Sequence, residues 1–392
     1  MTDQDYGQLP EQVGRAEKAV QRLELLLDTA LELSSERDLD RLLDRIWRRL
    51  TQVMEAERSS LFLVDEEEGE VWSRIAQGAQ EIRLPLGKGI VGTVAKTGEI
   101  INIPDAYRDP RFNPEVDRRG DFRTRALLTV PMKDRDDNVI GAAQVLNKRQ
   151  GGEIFTREDE ALLLALATLS AVAIETVNLY QEQREAIDAI IAGLNVGMSG
   201  RDPSYGEHVY RVEAYCLALA EELGVPEEER RILRYSALLH DLGQIGVPDS
   251  VLLKKAPLTE DEEKEFQLHA LKTKILLGKM GLSGEMAKVP GIAPFDHKRM
   301  DGGGYPDGPP QGDEIPFLTR ILAVAAALDV MTCPQFGQEE LSFPRAVQEI
   351  QKEAGKAFDA KVVEPLVSVG PRLPEIRREV EASYGKVRVD LG

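Results

Sequence analysis

The sequence predicts an α+β protein: an N-terminal antiparallel sheet flanked by helices, then a long connector helix, then an all-α C-terminal bundle. Three observations carry this. Short β-like runs are confined to residues 59–148, a helical pattern runs unbroken from about Thr156 to residue 198, and almost no strand signal remains from residue 186 onward. Residues 14–54 read as helix because Leu23, Leu26, Leu27, Ala30, Leu33, Leu42, Ile46 and Leu50 recur at three- and four-residue steps, which leaves 1–13 as an N-terminal tail. SSLFLVD (59–65), EVWSRIA (70–76), EIINIPD (99–105), ALLTVPMKD (126–134) and NVIGAAQVLNK (138–148) read as strands between Gly- and Asp-rich turns. Thr156 with Asp159 and Glu160 opens the long helix by a capping pattern, and no proline interrupts it before Pro203. Its length suits a rigid connector paired with the same helix of a second chain. Further helices are expected at 207–223, 226–241, 260–279, 316–331 and 341–354. The acidic runs DEEEGE (65–70) and EDEEKE (260–265) read as a solvated turn and a first helical turn capped by Thr259.

Composition narrows the function classes. The 392 residues suit two domains, and 42% hydrophobic content with 5% aromatics suits helix-rich cores. A net charge of −19 argues against a general DNA, RNA or anionic-membrane binder, so an anionic ligand needs a local site. The acidic start MTDQDYGQLPEQ does not read as a secretory signal, and the apolar run at 161–174 is shorter than the roughly 20 residues a bilayer needs. A cytoplasmic protein is expected. Cys216 and Cys333 indicate neither a disulfide framework nor a cysteine zinc site.

The chemistry-bearing residues lie in the helical half. ALLHDLGQIGVPDS (237–250) ends an apolar helical run with adjacent His240 and Asp241 and then glycines, a pair that cannot share one helix face. All 4 histidines, His208, His240, His269 and His297, fall within this half. Taken singly, His208 shares a stripe with Val212, Tyr215 and Leu219, and His269 lies near Phe266 and Ile275, so each reads as a core histidine. Together with carboxylates they suit divalent iron, manganese or zinc beside a phosphorus centre. MDGGGYPDG (300–308) supplies an open loop directly after His297, with Tyr305 in reach of a ligand and Pro306 stiffening it.

Five segments in order, RDPSYGEHVYRV (201–212), LLHDLGQIGVPDSVLLK (238–254), PLTEDEEKEFQLH (257–269), DHKRMDGGGYPDG (296–308) and IPFLTRILAVAAALDVMT (315–332), resemble the successive motifs of an HD-GYP domain. Over about 190 residues the resemblance implies a helical metal-dependent phosphodiesterase of the HD superfamily that acts on cyclic di-GMP. It implies metal ligation by His208, His240, Asp241, His269, Asp296 and His297 with one or two divalent ions, iron or manganese foremost. It also implies catalytic parts for Asp241, Lys298 and Tyr305, and substrate contacts from Gly304, Tyr305, Pro306 and Arg320. The chain departs from the pattern at several points. Ala326 stands where the motif carries a ligand aspartate, with Asp329 nearly one turn on; Asp296 replaces the first histidine of a pair; Gln244 replaces a lysine. Lys298 replaces a glutamate, and CPQFGQ (333–338) replaces an arginine-bearing segment. These departures imply reduced or lost turnover with metal or ligand binding retained, the alternative being a non-catalytic nucleotide receptor or interaction module.

The helix–sheet–helix order of 14–180 resembles a GAF sensor domain. LNKRQGGEIFTREDEALL (146–163) holds Asn147, Lys148, Phe155, Asp159 and Glu160, which resemble the NKFDE signature of GAF domains that bind cyclic AMP or cyclic GMP, and 109–131 resembles the segment closing over the nucleotide. By that resemblance Ser60, Asp117, Thr124 and Gln144 are ligand contacts, while Gly120-Asp121 depart from it by losing a hydroxyl. The expected organisation is a GAF domain over 14–180, a connector to about 198 and an HD-GYP domain over 186–392, forming a homodimer through the connector helix and GAF domain.

Overall fold

A computed structural model describes residues 3–73, 82–119, 122–149, 154–334, 336 and 339–389. The chain divides into two compact units, Met1–Ala186 and Ile187–Gly392.

The first unit opens with α1 (Asp3–Ser34) and α2 (Leu39–Val53). The single helix expected over 14–54 is therefore two, because Asp38 takes an extended conformation and its carboxylate accepts from Arg41 N–H as the N-cap of α2. Residues 3–13, expected as a tail, are helical. The strands follow as β1 (Ala56–Asp65), β2 (Glu70–Ser73) and β3 (Ile82–Pro85); then come α3 (Gly89–Thr97), β4 (Ile101–Ile103), α4 (Pro114–Arg119), β5 (Leu127–Lys133) and β6 (Val139–Lys148). Residues 74–76 of the second expected strand lie outside the described residues. All neighbours pair antiparallel in the order β3-β2-β1-β6-β5-β4. Period-two alternation assigns the faces. Leu61 and Leu63 of β1 join Leu42, Ile46 and Leu50 of α2, whereas Phe62 joins Ile90, Val91 and Val94 of α3.

The long helix α5 (Arg157–Arg201) forms as expected, and its Thr156 cap accepts from Asp159 N–H while Asp159 accepts from Thr156 N–H. Leu163, Leu166, Ala167, Ala171 and Ile174 bury one stripe of it in the first unit's core. By length and composition α5 is also apolar enough to cross a membrane, which the 161–174 run alone did not predict.

The second unit contains α6 (Pro203–Glu222), α7 (Glu227–Leu239), α8 (Asp249–Leu252), α9 (Glu260–Lys279), α10 (Phe317–Thr332), α11 (Phe343–Lys352), α12 (Ala360–Val369) and α13 (Leu373–Val389). The capping box at Thr259 and Glu262 starts α9 where the sequence places it. Helices α12 and α13 were not expected. Val212, Tyr215 and Leu219 of α6, Ile232, Leu233 and Leu239 of α7, and Ile321, Leu322 and Leu328 of α10 form one buried cluster. That core fixes α6, α7 and α10 as the frame of the site.

Candidate metal centre

The helix α7 ends at His240, and the chain turns through Asp241 into a 3-10 turn, Leu242–Gly246. Gly243 makes this turn possible: a Cβ there would stand 2.0 Å from the His269 carbonyl oxygen and 2.4 Å from Thr273 N. Thr273 Oγ1 accepts from Gly243 N–H and donates to the His240 carbonyl. The two hydrogen bonds lock the His240-Asp241 turn against α9, so sequence-distant His240, Asp241 and His269 meet.

Three histidines have a defined tautomer. His240 Nδ1–H donates to the Ala237 carbonyl at 2.7 Å and His269 Nδ1–H to the Phe266 carbonyl at 2.7 Å. A carbonyl only accepts, so in the neutral ring each Nε2 presents a lone pair. His208 Nδ1 is 2.7 Å from Asp329 Oδ2, and Asp329 is gripped by Arg211 from Nε at 2.6 Å and Nη2 at 3.0 Å. The fork keeps Asp329 ionised and accepting, which points the His208 Nε2 lone pair inward as well. Asp329, weighed from sequence as a displaced ligand, thus acts on the outer nitrogen of His208. Sequence reasoning missed Arg211; its signal is an arginine beside the apolar stripe of Val212 and Tyr215.

Around Asp241 these nitrogens form two groups, His208-His240-Asp241 and Asp241-His269-His297. The Nε2 atoms of His208 and His240 are 3.2 Å apart, as are those of His269 and His297. Asp241 Oδ2 lies 3.5 Å from both Nε2 atoms of the first group, and Oδ1 lies 3.2 Å from His269 Nε2. Asp296 Oδ2 lies 3.3 Å from His297 Nε2. Donors held about 2.0–2.2 Å from one cation stand roughly 3–3.5 Å from each other, so the spacing fits divalent ions. Facing lone pairs repel unless a proton or cation lies between them. Asp241 Oδ1 and both oxygens of Asp296 are buried without a hydrogen-bond partner, which is the signature of a group awaiting a cation. The donor set fits the metal that the sequence implies.

Without a cation the carboxylates hold protons on the imidazoles, protons that a metal would displace. Burial pulls the His208 imidazole down, but hydrogen bonds to Asp241 and Asp329 prevail and push it up to about 10. His269 is also raised, its burial outweighed by Asp241. Asp241 resists the upward push of burial because the histidines around it hold its carboxyl well below the usual range. His297, at the mouth, is lowered by burial and by the neighbouring His269.

These groups line one side of a cavity of about 980 Å³. Tyr305 stacks on the His297 ring at 4.3 Å, and Phe266 stands edge-on to Phe336 at 5.2 Å. Gly304 seats Tyr305 with φ +76°, where a Cβ would come 2.0 Å from the His297 carbonyl oxygen. Lys298, Gly304 and Tyr305 line the cavity. Lys298 Nζ, however, donates to the Gly308 carbonyl at 2.6 Å and so fastens the loop. Pro306 and Arg320, expected as substrate contacts, are not among the residues that line this cavity. Arg320 is held by the Asp359 carboxylate and the carbonyls of Asp313 and Ile315. Gln244 Nε2 donates to Asp241 Oδ2 at 2.6 Å, and Ala323, Ala326, Ala327 and Val330 of α10 form an apolar wall. Of CPQFGQ, Gln335, Gly337 and Gln338 lie outside the described residues.

In the first unit the expected ligand contacts are engaged internally. Asp117 accepts from Thr124 N–H, Thr124 Oγ1 and Tyr107 OH. Gln144 opposes Ser60 across β6 and β1 and donates to Thr129 Oγ1. Ser60 borders a cleft of only about 20 Å³ that neither Asp117 nor Thr124 lines. Gly120 and Asp121 lie outside the described residues. The signature residues form a strand-to-helix junction: Lys148 Nζ reaches both Asp159 oxygens at 2.7 Å, and Asn147 bonds Arg125 N–H, Glu57 and the Arg123 carbonyl. Asn102 bonds Glu160 and the Phe155 carbonyl.

Comparison with known proteins also finds two domains, whose matches overlap at the start of α5. A GAF domain model matches residues 38–174 and an HD domain model matches residues 159–362. The chain is 34% identical over 187 residues to the dual 3',5'-cyclic-AMP and -GMP phosphodiesterase 11A of Takifugu rubripes, covering 44% of this chain and 21% of that protein. It is 33% identical over 190 residues to a Vibrio cholerae protein named "Probable cyclic di-GMP phosphodiesterase", covering 45% of this chain and 43% of the relative. The chain thus spans less than half the length of these curated relatives. Among solved structures, the GAF domain of a phosphoenolpyruvate-protein phosphotransferase from Coxiella burnetii is similar at 25% identity and a TM-score of 0.37, covering 42% of this chain and 98% of that one. Since the HD domain match takes in just over half of its residues, the chain belongs to the HD domain family.

Proposed function

We propose that the second unit is a divalent-metal phosphohydrolase site of the HD-GYP type that takes cyclic di-GMP or a related nucleotide and turns it over slowly. The observation that carries this reading is Asp241, set between two pairs of histidines whose Nε2 atoms converge at the side of a 980 Å³ cavity. His208, His240, Asp241, His269, Asp296 and His297 would hold the metal. Bound divalent cations supply Lewis-acid polarisation of a phosphoryl oxygen and a water of lowered pKa.

The chain's own residues do the rest. Ala237 and Phe266 carbonyls fix the imidazoles of His240 and His269, Asp329 with Arg211 fixes His208, and Gln244 orients Asp241. Tyr305 walls His297, and Phe266 and Phe336 offer aromatic faces to a base. The slow turnover follows from the wall of α10, which offers methyl groups and no charged group at Ala326, and from a neutral Gln244 in place of a lysine. One missing transition-state partner lowers a rate on the order of 100- to 1,000-fold. The same wall favours a second reading, a receptor that binds nucleotide without cleaving it.

Turnover of cyclic di-GMP by the purified protein, with iron or manganese supplied anaerobically, tests the two. Linear dinucleotide or GMP above a His240→Ala control supports the enzyme. Binding without product supports the receptor, and neither binding nor product sinks both. The first unit acts as the regulatory half in this proposal, with cyclic AMP and cyclic GMP the ligands to titrate first, and light scattering tests dimerisation through its helices.

A further inference from the structure

We infer that the two halves of the metal centre are unequal: the His269 side holds an ion on protein donors alone, whereas the His208 side holds one only when a bound phosphate supplies an oxygen. This rests on the metal site proposed above, and three observations carry it. Asp241 is shared asymmetrically. Its Oδ1, beside His269, has no hydrogen-bond partner, while its Oδ2, toward His208 and His240, already accepts from Gln244 at 2.6 Å.

The second observation is that the unsatisfied carboxylate charge lies on one side. Asp296 is buried, has both oxygens unpartnered and adjoins His297 at 3.3 Å. Among the described residues no further histidine, cysteine or carboxylate joins the His208-His240-Asp241 group.

The third is the wall. Ala323, Ala326, Ala327 and Val330 line the cavity from α10 with no donor atom. The nearest carboxylate on that helix, Asp329, bonds the outer nitrogen of His208 and is held there by Arg211. The first position is therefore three donors, one of them shared, with an open side on the cavity. A three-ligand site with an open place is the arrangement that takes a donor from its substrate. The donor class the cavity admits is a phosphate oxygen, from a nucleotide or as free phosphate.

The test is metal stoichiometry of the whole protein, read by manganese titration with electron paramagnetic resonance and by elemental analysis after gel filtration. Titrations are run without anion, with inorganic phosphate and with GMP. The expected result is one tightly held ion without anion and a second that appears with either anion. Equal response to both assigns the donor to phosphate itself, and a stronger response to GMP assigns it to a bound nucleotide. Ala326→Asp should tighten the second ion roughly tenfold or more and remove its dependence on anion. Should that variant misfold, His208→Ala is the substitute: it should abolish only the anion-dependent ion, while Asp296→Asn should weaken the tight one. Two equal ions in the wild type without anion, no second ion with either anion, or loss of the tight ion in His208→Ala would overturn the inference while leaving the metal site standing. No manganese bound under any condition would remove the site and the inference together.

Discussion

Replacing Asp329 by alanine removes a carboxylate that is fully buried and accepts from His208 Nδ1 at 2.7 Å and from Arg211 at 2.6 and 3.0 Å. Arg211 is itself 5% exposed and keeps only a longer contact to Glu207 at 3.5 Å, so the variant leaves a guanidinium poorly paired inside the protein. Breaking a buried pair in this way costs about 3–5 kcal/mol. His208 also loses the acceptor that fixes its tautomer, and the loss of such an outer partner weakens metal binding by roughly 10- to 100-fold. Hydrogen exchange of peptides from 317–332 reads the local stability without mixing the two units, and manganese titration reads the affinity.

A double replacement separates charge stranding from lost contact. Arg211→Met with Asp329→Leu removes both ions and keeps apolar volume, which should recover most of the stability lost in Asp329→Ala. It should not recover metal affinity, because His208 remains unsupported. Stability within about 1 kcal/mol of wild type for Asp329→Ala, together with unchanged metal affinity, would refute the argument.

Gly304→Ala puts a Cβ 2.0 Å from the His297 carbonyl at φ +76°, so it should destabilise the second unit by about 1–3 kcal/mol or more and unseat Tyr305; an unchanged melting temperature would contradict this. Lys298→Met removes the bond to Gly308 at 2.6 Å, worth about 1.5–3 kcal/mol, and should speed proteolysis within 300–308 while leaving α9 protected. Burial raises the Asp159 carboxyl, but Lys148 and Thr156 outweigh it and hold the group below its usual range. Its contribution is therefore present above an unfolded value of about 3.9 and is lost as pH falls through the lower folded one. The stability gap between wild type and Asp159→Asn should stay level above about pH 5 and close below about pH 4; a gap that widens in acid would reverse the sign. Chelation of metal should lower the melting temperature of the second unit, since an ion at a hundred times its dissociation constant stabilises by about 2.7 kcal/mol; no change would count against a structural share for the metal.

What was legible in the sequence is what local physics decides. Alternation in β1 separates Leu61 and Leu63 from Phe62, and Thr259 with Glu262 caps α9. The division into a sheet-bearing half and a helical half follows from such patterns, whereas the GAF and HD-GYP readings rest on the resemblance of motif segments. The rest depends on partners far away in sequence. Asp38 reads as one more charge between two helical runs, and only its capping bond to Arg41 reveals the break. Gly89–Thr97 is rich in glycine and β-branched residues, poor helix formers, yet α3 forms because Ile90, Val91 and Val94 are buried against the sheet. Arg320 reads from its place in a motif as a ligand contact, and its bond to Asp359, far along the chain, has no local signal. Likewise, His208 and Asp329 meet only because α6 packs on α10.

Holding an ion and driving a reaction make different demands on the same pocket, and this one meets them unequally. Holding needs lone pairs that converge and remain fixed, which the Ala237 and Phe266 carbonyls and Asp329 provide from outside the cavity. Driving the reaction needs charge aimed at the place where it develops, which falls on the cavity side. There α10 offers Ala323, Ala326 and Ala327, Gln244 is neutral and directed at Asp241, and Lys298 is bound to Gly308. The outer supports of the imidazoles are complete, while the cavity's other cations are already paired, Arg299 with Asp301 and Glu353 and Arg377 with Glu340 and Glu381. A buried unpaired carboxylate such as Asp296 costs free energy in every metal-free molecule. The pocket is therefore strained without an ion, and loading it relieves that strain whether or not a phosphodiester is cut.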